Sequence, residues 1–413
     1  MPARMERTVR MILRRLDQSE HGKTRGLWEE IFTEDTKAFL DYYYYIKARD
    51  NEIYVIEEDG GICSMLQLNP YMVSVEGEQL PSAYVIAVAT KEAYRSRGYM
   101  GALLRRALKD MYGRKIPFTF LMPAAEAIYT PYDFRYVYSQ EQGTLIREKP
   151  GGMFVWQADG RAADTPRDCG PEPDRNRRLQ CVDAGLWHAE ELAAFFAEHC
   201  ADLFQVCTVR DSAYYQTMIL EQQSERGGVR LMLEDGALKG YYAYASEESL
   251  EIREPVFLPG YEAEFLSSVR DLAEQSGNRE QMEVPIHACP AEYAFGRKPL
   301  IMARIVCLRK LLAALKVPEW EEIDCSFAVI DPLITENSRV WKITGSRGET
   351  QLHVRETEDS EGVLPIAELT ELLFGRAEAE DIRGREGVIL PEHLAEELEK
   401  ITKLTRTCFN EVV

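Results

Sequence analysis

The stretch VATKEAYRSRGYMGALL, which begins at Val88, places two arginines and a glycine between an apolar run and a leucine-rich run. The apolar run predicts a strand, and Gly98 stands where a helix would begin. The first backbone amides of a helix have no partner inside it, and the helix dipole adds partial positive charge there. Arg95 and Arg97 add cationic side chains, so the turn predicts an anion site suited to a pyrophosphate. The alternative is an ordinary helix N-terminus with solvated arginines.

Two well-known phosphate-binding signatures are absent from this turn. A P-loop needs G-x-x-x-x-G-K-[ST], and a dinucleotide-binding loop needs G-x-G-x-x-G, whereas the turn reads RSRGYMG. The ligand of the predicted anion site is therefore neither fixed nor excluded by those motifs.

The elements around this turn alternate between strands and helices, which predicts a mixed α/β layer fold. A helical start leads to a hairpin around EEDGG, then to the strand PSAYVIAVAT, the helix RGYMGALLRRALKDMYGRK, the strand PFTFLMP and the aromatic segment IYTPYDFRYVY. A linker rich in Gly, Pro, Asp and Arg follows. The middle of the chain repeats the order of elements without an Arg-x-x-Gly turn, which indicates an inactive internal duplicate. The last part predicts a small α+β module.

Composition and charge narrow the classes of function. The chain has 413 residues and is 45% hydrophobic, enough for two or three domains. Its 49 Lys+Arg and 69 Asp+Glu give a formal net charge of −20, which disfavours nucleic acid and anionic membranes and suits a cationic small molecule.

No signal peptide or membrane span is expected, and the nine irregularly spaced cysteines suit a reducing, cytoplasmic setting. The six histidines show no ligand spacing, so no metal is expected.

The turn resembles motif A of the GCN5-related N-acetyltransferases (GNATs), [QR]-x-x-G-x-[GA], with Met100 in place of the final small residue. The whole chain is similar to the enhanced-intracellular-survival (Eis) family of acetyltransferases. The other segments that carry this resemblance are EAIYTPYDFRY, DCSFAVIDPLITENSRVWKI and the closing CFNEVV. Asp133 departs from the pattern, since many acetyltransferases have Gly there.

The resemblance implies tandem GNAT folds followed by a sterol-carrier-like α+β domain. The implied domains are an active GNAT domain over 1–148, a degenerate GNAT-like domain over 149–293 and the sterol-carrier-like domain over 294–413. It also implies that acetyl-CoA is the cosubstrate. The residues that it assigns to acetyl-CoA are Val88, Ala89, Thr90, Ser96, Arg97, Gly98, Tyr99, Met100, Gly101, Ala124 and Ala125.

The resemblance also assigns the acid and the base of the reaction. Tyr129 would be the general acid beside the sulfur of coenzyme A, and the terminal carboxylate of Val413 would be the general base. An α-carboxyl has a reference pKa of about 3.3–3.7, and burial among apolar residues such as Phe409 would raise that pKa. The alternatives are an aromatic-packing role for Tyr129, a purely structural terminal strand, and Glu126 with a water relay as the base.

The expected function is acetylation of a primary amine of a cationic acceptor, aminoglycoside-like or lysine-like, by direct transfer in a ternary complex. The resemblance further implies a homo-oligomer, a hexamer. The rival interpretation is a protein without enzymatic activity that senses acetyl-CoA or binds an apolar ligand in its third domain.

Overall fold

The structure is a computed structural model, and it describes residues 11–147, 149–158, 161–162, 177, 179–278, 280–289, 294 and 296–411. The predicted linker over 158–178 lies mostly outside those residues, as does Val413. No helix in the described part of the chain is long and apolar enough to cross a membrane.

The strands, in chain order, are β1 (Met11–Arg15), β2 (Glu52–Glu58), β3 (Gly61–Val75), β4 (Glu78–Thr90), β5 (Phe118–Leu121), β6 (Arg135–Ile146), β7 (Val155–Ala158), β8 (Arg161–Ala162), β9 (Leu179–Asp183), β10 (Val206–Thr208), β11 (Gly228–Glu234), β12 (Ala237–Ala245), β13 (Glu251–Phe257), β14 (Glu283–His287), β15 (Gly296–Ile305), β16 (Ile323–Ile330), β17 (Val340–Gly345), β18 (His353–Thr357), β19 (Val363–Pro365) and β20 (Thr407–Cys408). The α-helices are α1 (Arg25–Ile31), α2 (Lys37–Tyr45), α3 (Tyr99–Gly113), α4 (Glu126–Tyr129), α5 (Ala189–His199), α6 (Ser212–Ser224), α7 (Glu262–Gln275), α8 (Leu308–Ala314), α9 (Ile366–Leu373), α10 (Ala379–Ile382) and α11 (Glu392–Glu399).

The chain divides into two compact units. Unit 1 contains residues 1–137, 205–208 and 301–413, and unit 2 contains residues 138–204 and 209–300. Unit 1 therefore joins the first and last parts of the chain and takes one short segment from the middle.

Unit 1 begins with an antiparallel run, because β1 pairs with β2, β2 with β3 and β3 with β4. The β2–β3 hairpin turns at Asp59 and Gly60, which have φ of 50° and 83°. Two consecutive positive φ values are what a two-residue hairpin turn needs, and Asp-Gly supplies them at low cost. Helix α3 then crosses back so that β5 lies parallel to β4. Its leucines at 103, 104 and 108 are fully buried against the sheet.

The last part of the chain adds a second sheet to unit 1, with strand order β18-β17-β16-β19. Helices α8 to α11 belong to this part, and the apolar face of α9 is buried, with Leu369, Leu372 and Leu373 fully inaccessible. Residues 302–305 of β15 pair with the free edge of β5. The first and last parts of the chain thus share a continuous set of backbone hydrogen bonds.

Unit 2 repeats the pattern of the first part of unit 1. Strands β9, β11, β12 and β13 form an antiparallel run, and α7 leads to β14, which is parallel to β13 through the pair Ile252 and Ile286. Its first hairpin turns at Asp235 and Gly236, with φ of 51° and 81°. Apart from β10, which belongs to unit 1, the strands from β9 to β14 therefore follow the order of β1–β5.

Candidate active site

Strands β4 and β5 separate beyond the pair Tyr84 and Phe120. They pair in parallel at Ala83 with Thr119 and at Tyr84 with Phe120, and no further β4–β5 pair forms among the described residues, although β4 continues to Thr90. Just beyond the last pair, β4 carries one extra residue relative to β3, and Ala87 has φ of 50°. A bulge of this kind turns a strand away from its neighbour. The bulge therefore opens a wedge between the ends of β4 and β5.

The wedge exposes backbone groups of β4. The Lys91 amide donates to the Cys63 carbonyl of β3 at 2.9 Å. Because backbone groups alternate between the two edges of a strand, Ala89 also faces β3, whereas Val88 and Thr90 face the wedge. The Ala89 carbonyl additionally accepts the Ser64 hydroxyl at 2.9 Å. Of the three predicted backbone contacts, Val88 and Thr90 are thus better placed than Ala89 to meet a ligand.

The turn before α3 is concave and lined with amides. Ser96 and Gly98 have φ of 61° and 78°, in the left-handed region. The first intrahelical bond runs from the Ala102 amide to the Gly98 carbonyl at 3.0 Å, so the amides of Tyr99, Met100 and Gly101 have no carbonyl within the helix. Gly98 has no side chain that could cap them. The helix is 15 residues long, so its dipole reinforces the positive end.

The two arginines of the turn differ in their contacts. Arg97 donates to the Glu58 carboxylate at 3.4 Å and to the Ala93 carbonyl at 3.0 Å, and its guanidinium lies 4.8 Å from the centre of the Tyr94 ring. Arg97 therefore stabilises the turn itself. Arg95 is exposed and makes one long hydrogen bond, at 3.4 Å, to the Thr90 carbonyl. Arg95 is the side chain that remains available to an incoming anion.

Tyr129 ends α4, one loop after β5, and only 8% of its surface is exposed. Its ring packs edge-on against Phe134 with a centroid distance of 5.9 Å, within the core that also holds Leu103 and Leu104 of α3. Burial disfavours the phenolate and raises the pKa of Tyr129 to about 12. The Tyr129 hydroxyl therefore carries its proton at neutral pH, as a general acid must. Ala124 and Ala125 lie exposed in the loop before α4.

The next residues hold the Tyr129 segment against α3. A side chain at Gly101 would overlap the hydroxyl of Tyr132, so the glycine allows Tyr132 to contact the first turn of the helix. Asp133 has φ of 63°, in the left-handed region that glycine adopts most readily. Glu126, the alternative base, is exposed at the start of α4.

A buried network from the last part of the chain supports that segment. Arg304 is fully buried, donates to the Tyr132 carbonyl at 2.9 Å and pairs with Asp331 at 2.6 Å. Asp331 also accepts the side-chain amide of Asn337 at 2.9 Å. Sequence reasoning missed these residues. DCSFAVIDPLITENSRVWKI contains Asp331 and Asn337, but their partner Arg304 lies outside it and no spacing links the two.

Comparison with known proteins identifies two domains. Residues 13–137 match the family described as "Acetyltransferase (GNAT) domain", and residues 308–408 match the family described as "Sterol carrier protein domain". No curated protein matches the chain in sequence. The chain therefore carries an acetyltransferase domain and a sterol carrier protein domain.

Solved structures resemble almost the whole chain. A "Probable N-Acyltransferase" from Enterococcus faecalis has a TM-score of 0.76 at 18% identity, covering 96% of this chain and 98% of its own. A GCN5-related N-acetyltransferase from Anabaena variabilis has a TM-score of 0.73 at 17% identity, covering 96% and 98%. Eis1 from Mycobacterium abscessus has a TM-score of 0.67 at 14% identity, covering 98% and 100%.

The expected fold class is confirmed: a mixed α/β chain with tandem GNAT-like folds and a C-terminal sterol-carrier-like domain. The expectation of an acetyltransferase enzyme is confirmed at the level of the domain that residues 13–137 form. Similarity to the Eis protein is one of fold, since its identity is 14%.

Proposed function

We propose that the protein transfers an acetyl group from acetyl-CoA directly to a primary amine of a cationic acceptor, aminoglycoside-like or lysine-like, within a ternary complex. The observation that carries the proposal is the corner formed by the β4 bulge at Ala87 and the left-handed residues Ser96 and Gly98 before α3. The amides after Gly98 and the exposed Arg95 suit a pyrophosphate, and the wedge between β4 and β5 suits an extended chain that pairs with Val88 and Thr90.

Acetyl transfer from a thioester to an amine makes three chemical demands. The amine must lose its proton before it attacks, because an alkyl ammonium of reference pKa about 10.4 has no lone pair to donate. The developing oxyanion needs a donor, and the Val88 amide, which faces the wedge, is suited to that role. The departing thiolate needs a proton, which the Tyr129 hydroxyl supplies. The C–N bond forms and the C–S bond breaks, with free coenzyme A as the second product.

The terminal carboxylate of Val413 remains our proposed general base, although Val413 lies outside the described residues. The described tail favours this role because the Phe409 ring lies 4.9 Å from the Phe120 ring, at the last β4–β5 pair. Glu411 is buried, with 3% of its surface exposed. Val413 is two positions along the chain from Glu411, a reach of about 7 Å at 3.3–3.6 Å per residue.

The direct test of the proposal is release of free thiol from acetyl-CoA in the presence of aminoglycosides, polyamines or lysine peptides. We expect release that depends on one of these amines and a product heavier by one acetyl group. Binding of acetyl-CoA by calorimetry without release on any amine would instead favour an acetyl-CoA sensor. No binding at all would overturn the proposed cofactor site. Light scattering on the same sample tests the hexamer that the family resemblance implies.

The role of Val413 has its own test, which extends the chain by a few residues. We expect the extended protein to bind acetyl-CoA normally but to lose most of its turnover, because general-base catalysis typically contributes about 10²–10⁴-fold. The same extension placed before Met1 is the matched control and should leave turnover unchanged. Full activity in the C-terminally extended protein would contradict the role.

A further inference from the structure

A short segment from the middle of the chain joins unit 1. Residues 205–208 belong to unit 1, while the residues on either side, 138–204 and 209–300, belong to unit 2. The segment contains β10, which pairs antiparallel with β3 and parallel with β20. Strand β10 therefore lies between the β3–β4 hairpin of the acetyltransferase domain and residues 403–411, the C-terminal tail.

The Gln205 side chain holds both neighbours at once. Its amide nitrogen donates to the Glu76 carboxylate at 2.6 Å and to the Lys403 carbonyl at 2.9 Å. Its carbonyl oxygen accepts the backbone amides of Thr405 and Arg406, each at 3.1 Å. Only 4% of Gln205 is exposed, so these bonds are shielded from water. The amide is thus fully used in fixing the tail to the β3–β4 hairpin.

Thr208 makes a second attachment, nearer the end of the chain. Its hydroxyl donates to the carboxylate of Glu411, and both residues are buried, with 2% and 3% of their surfaces exposed. Because both groups are shielded from water, this hydrogen bond is electrostatically stronger than an exposed one. Between the two attachments, Phe409 lies against Phe120 at the β4–β5 opening. The tail is therefore fixed on both sides of its contact with the candidate active site.

We propose that Gln205 and Thr208 are positioning residues for the acetyl-transfer reaction, which hold residues 403–411 against the opening between β4 and β5. This inference rests on the proposed function, because positioning matters only if the tail acts in the reaction. Neither residue needs to touch the substrate. Both act through the tail.

The test compares Thr208→Val, which removes the hydroxyl but keeps the shape of the side chain, with Thr208→Ser, which keeps the hydroxyl. We expect Thr208→Val to lower kcat by up to about a hundredfold, the cost of a misplaced catalytic group. The KM for acetyl-CoA should stay within about twofold, since ground-state binding is untouched. Thr208→Ser should restore most of the turnover. Ser268→Ala, which removes a buried hydroxyl bonded to Tyr242 in unit 2, is the matched control.

A second readout does not depend on turnover. Carboxypeptidase should remove the last residues from Thr208→Val at least about tenfold faster than from the wild type, Thr208→Ser or Ser268→Ala, because proteolysis follows the population of the released tail. Equal digestion of Thr208→Val and the wild type would overturn the inference, as would unchanged kcat in Thr208→Val. If the wild type releases no thiol with any amine, the proposed function fails, and digestion alone then decides whether Thr208 fixes the tail.

Discussion

The two GNAT-like folds of this chain share a backbone arrangement and differ in the side chains at one corner of it. The first corner is residues 87–101, where β4 leads into α3, and the second corner is residues 254–264, where β13 leads into α7. Both contain a strand residue with positive φ, Ala87 at 50° and Glu254 at 44°, and both have a glycine with positive φ near the helix start, Gly98 at 78° and Gly260 at 85°. The shared plan does not make both corners suitable for an anion.

Carboxylates occupy the second helix start. Glu262 accepts the Gly260 amide at 3.0 Å, and the buried Glu264 pairs with Arg177 at 3.2 Å. Acidic groups in the first turn satisfy the helix dipole and repel a phosphate. The first turn of α3 has no acidic residue. The N-terminus of α7 is therefore capped by side chains of its own fold, whereas the N-terminus of α3 is left available to a ligand.

The bulges differ in the same way. At the second corner Glu254 pairs with Arg210, and both side chains are almost fully buried. At the first corner the bulge residue is Ala87, which has only a methyl side chain and so places no charged group at the bulge. The second bulge is thus occupied by a buried ion pair, whereas the first bulge carries only the small side chain of Ala87. These few side chains distinguish the proposed cofactor site from the second corner.

The largest effect that would sharpen this comparison is expected from Tyr129→Phe. Removal of the general acid should lower kcat by about 10²–10⁴-fold while leaving acetyl-CoA affinity unchanged. Tyr242→Phe, which removes a buried hydroxyl from unit 2, is the control and should keep full turnover. Steady-state kinetics and calorimetry on the two variants measure both quantities.

The same residue predicts the alkaline side of the pH profile. A phenol donates its proton only below its pKa, and burial raises the pKa of Tyr129 to about 12. The kcat measured from pH 7 to about 10 should therefore show no alkaline fall. A tyrosine with the ordinary pKa of about 10 would instead be losing its proton at the top of this range. A fall centred near pH 9 would contradict the assignment of Tyr129 as the acid.

The next effect concerns the ion pair at the second bulge. Arg210→Met leaves Glu254 buried without its arginine partner and should lower the free energy of unfolding by about 3–5 kcal/mol. Replacing both residues, Arg210→Met with Glu254→Leu, should recover most of that loss, because no buried charge remains. Denaturant unfolding measures both variants. Equal stability of the single variant and the wild type would show that the pair does not close this corner.

A smaller effect separates the two glycines. Gly98→Val and Gly260→Val each place a β-branched residue in the left-handed region, at a cost of about 1–2 kcal/mol. Only Gly98→Val should weaken acetyl-CoA binding, by roughly tenfold, because 1.4 kcal/mol is a factor of ten. Calorimetry should also give one acetyl-CoA per chain. Weaker binding in Gly260→Val, or two sites per chain, would break the comparison.

The smallest effect concerns the acid stability of unit 2. A hydrogen bond from His287, together with Arg253, lowers the pKa of Glu251 from about 4.5 to about 2. A lowered pKa stabilises the fold above pH 4.5, and this contribution disappears as the pH falls towards 2. Glu251→Gln should therefore lose at most about 1 kcal/mol at pH 7, because the pair is partly exposed. The loss should vanish at pH 2 in thermal unfolding.

The sequence predicted the elements of the first corner well because their causes are local. The Asp-Gly hairpins, the strand before Thr90 and the helix after Gly98 follow from turn chemistry and periodicity, and all are present. The sequence of the second corner itself lacks the Arg-x-x-Gly turn. Its ion pair was not predicted, since Arg210 and Glu254 lie far apart in the chain.

Long-range positioning escaped prediction for the same reason. Residues 205–208 carry no local pattern that assigns them to unit 1. Arg304 is similar, because its partners Tyr132 and Asp331 come from different parts of the chain. Such contacts depend on packing between distant segments, which periodicity and turn chemistry do not encode.

The position of β10 between β3 and β20 has a consequence for translation. The ribosome makes the first corner early, but β20, at residues 407–408, is made after every other described strand. A nascent chain can thus fold the acetyltransferase sheet while its tail is still missing. Unit 1 is begun before unit 2 and completed after it, so the proposed activity should appear only once β20 has been made.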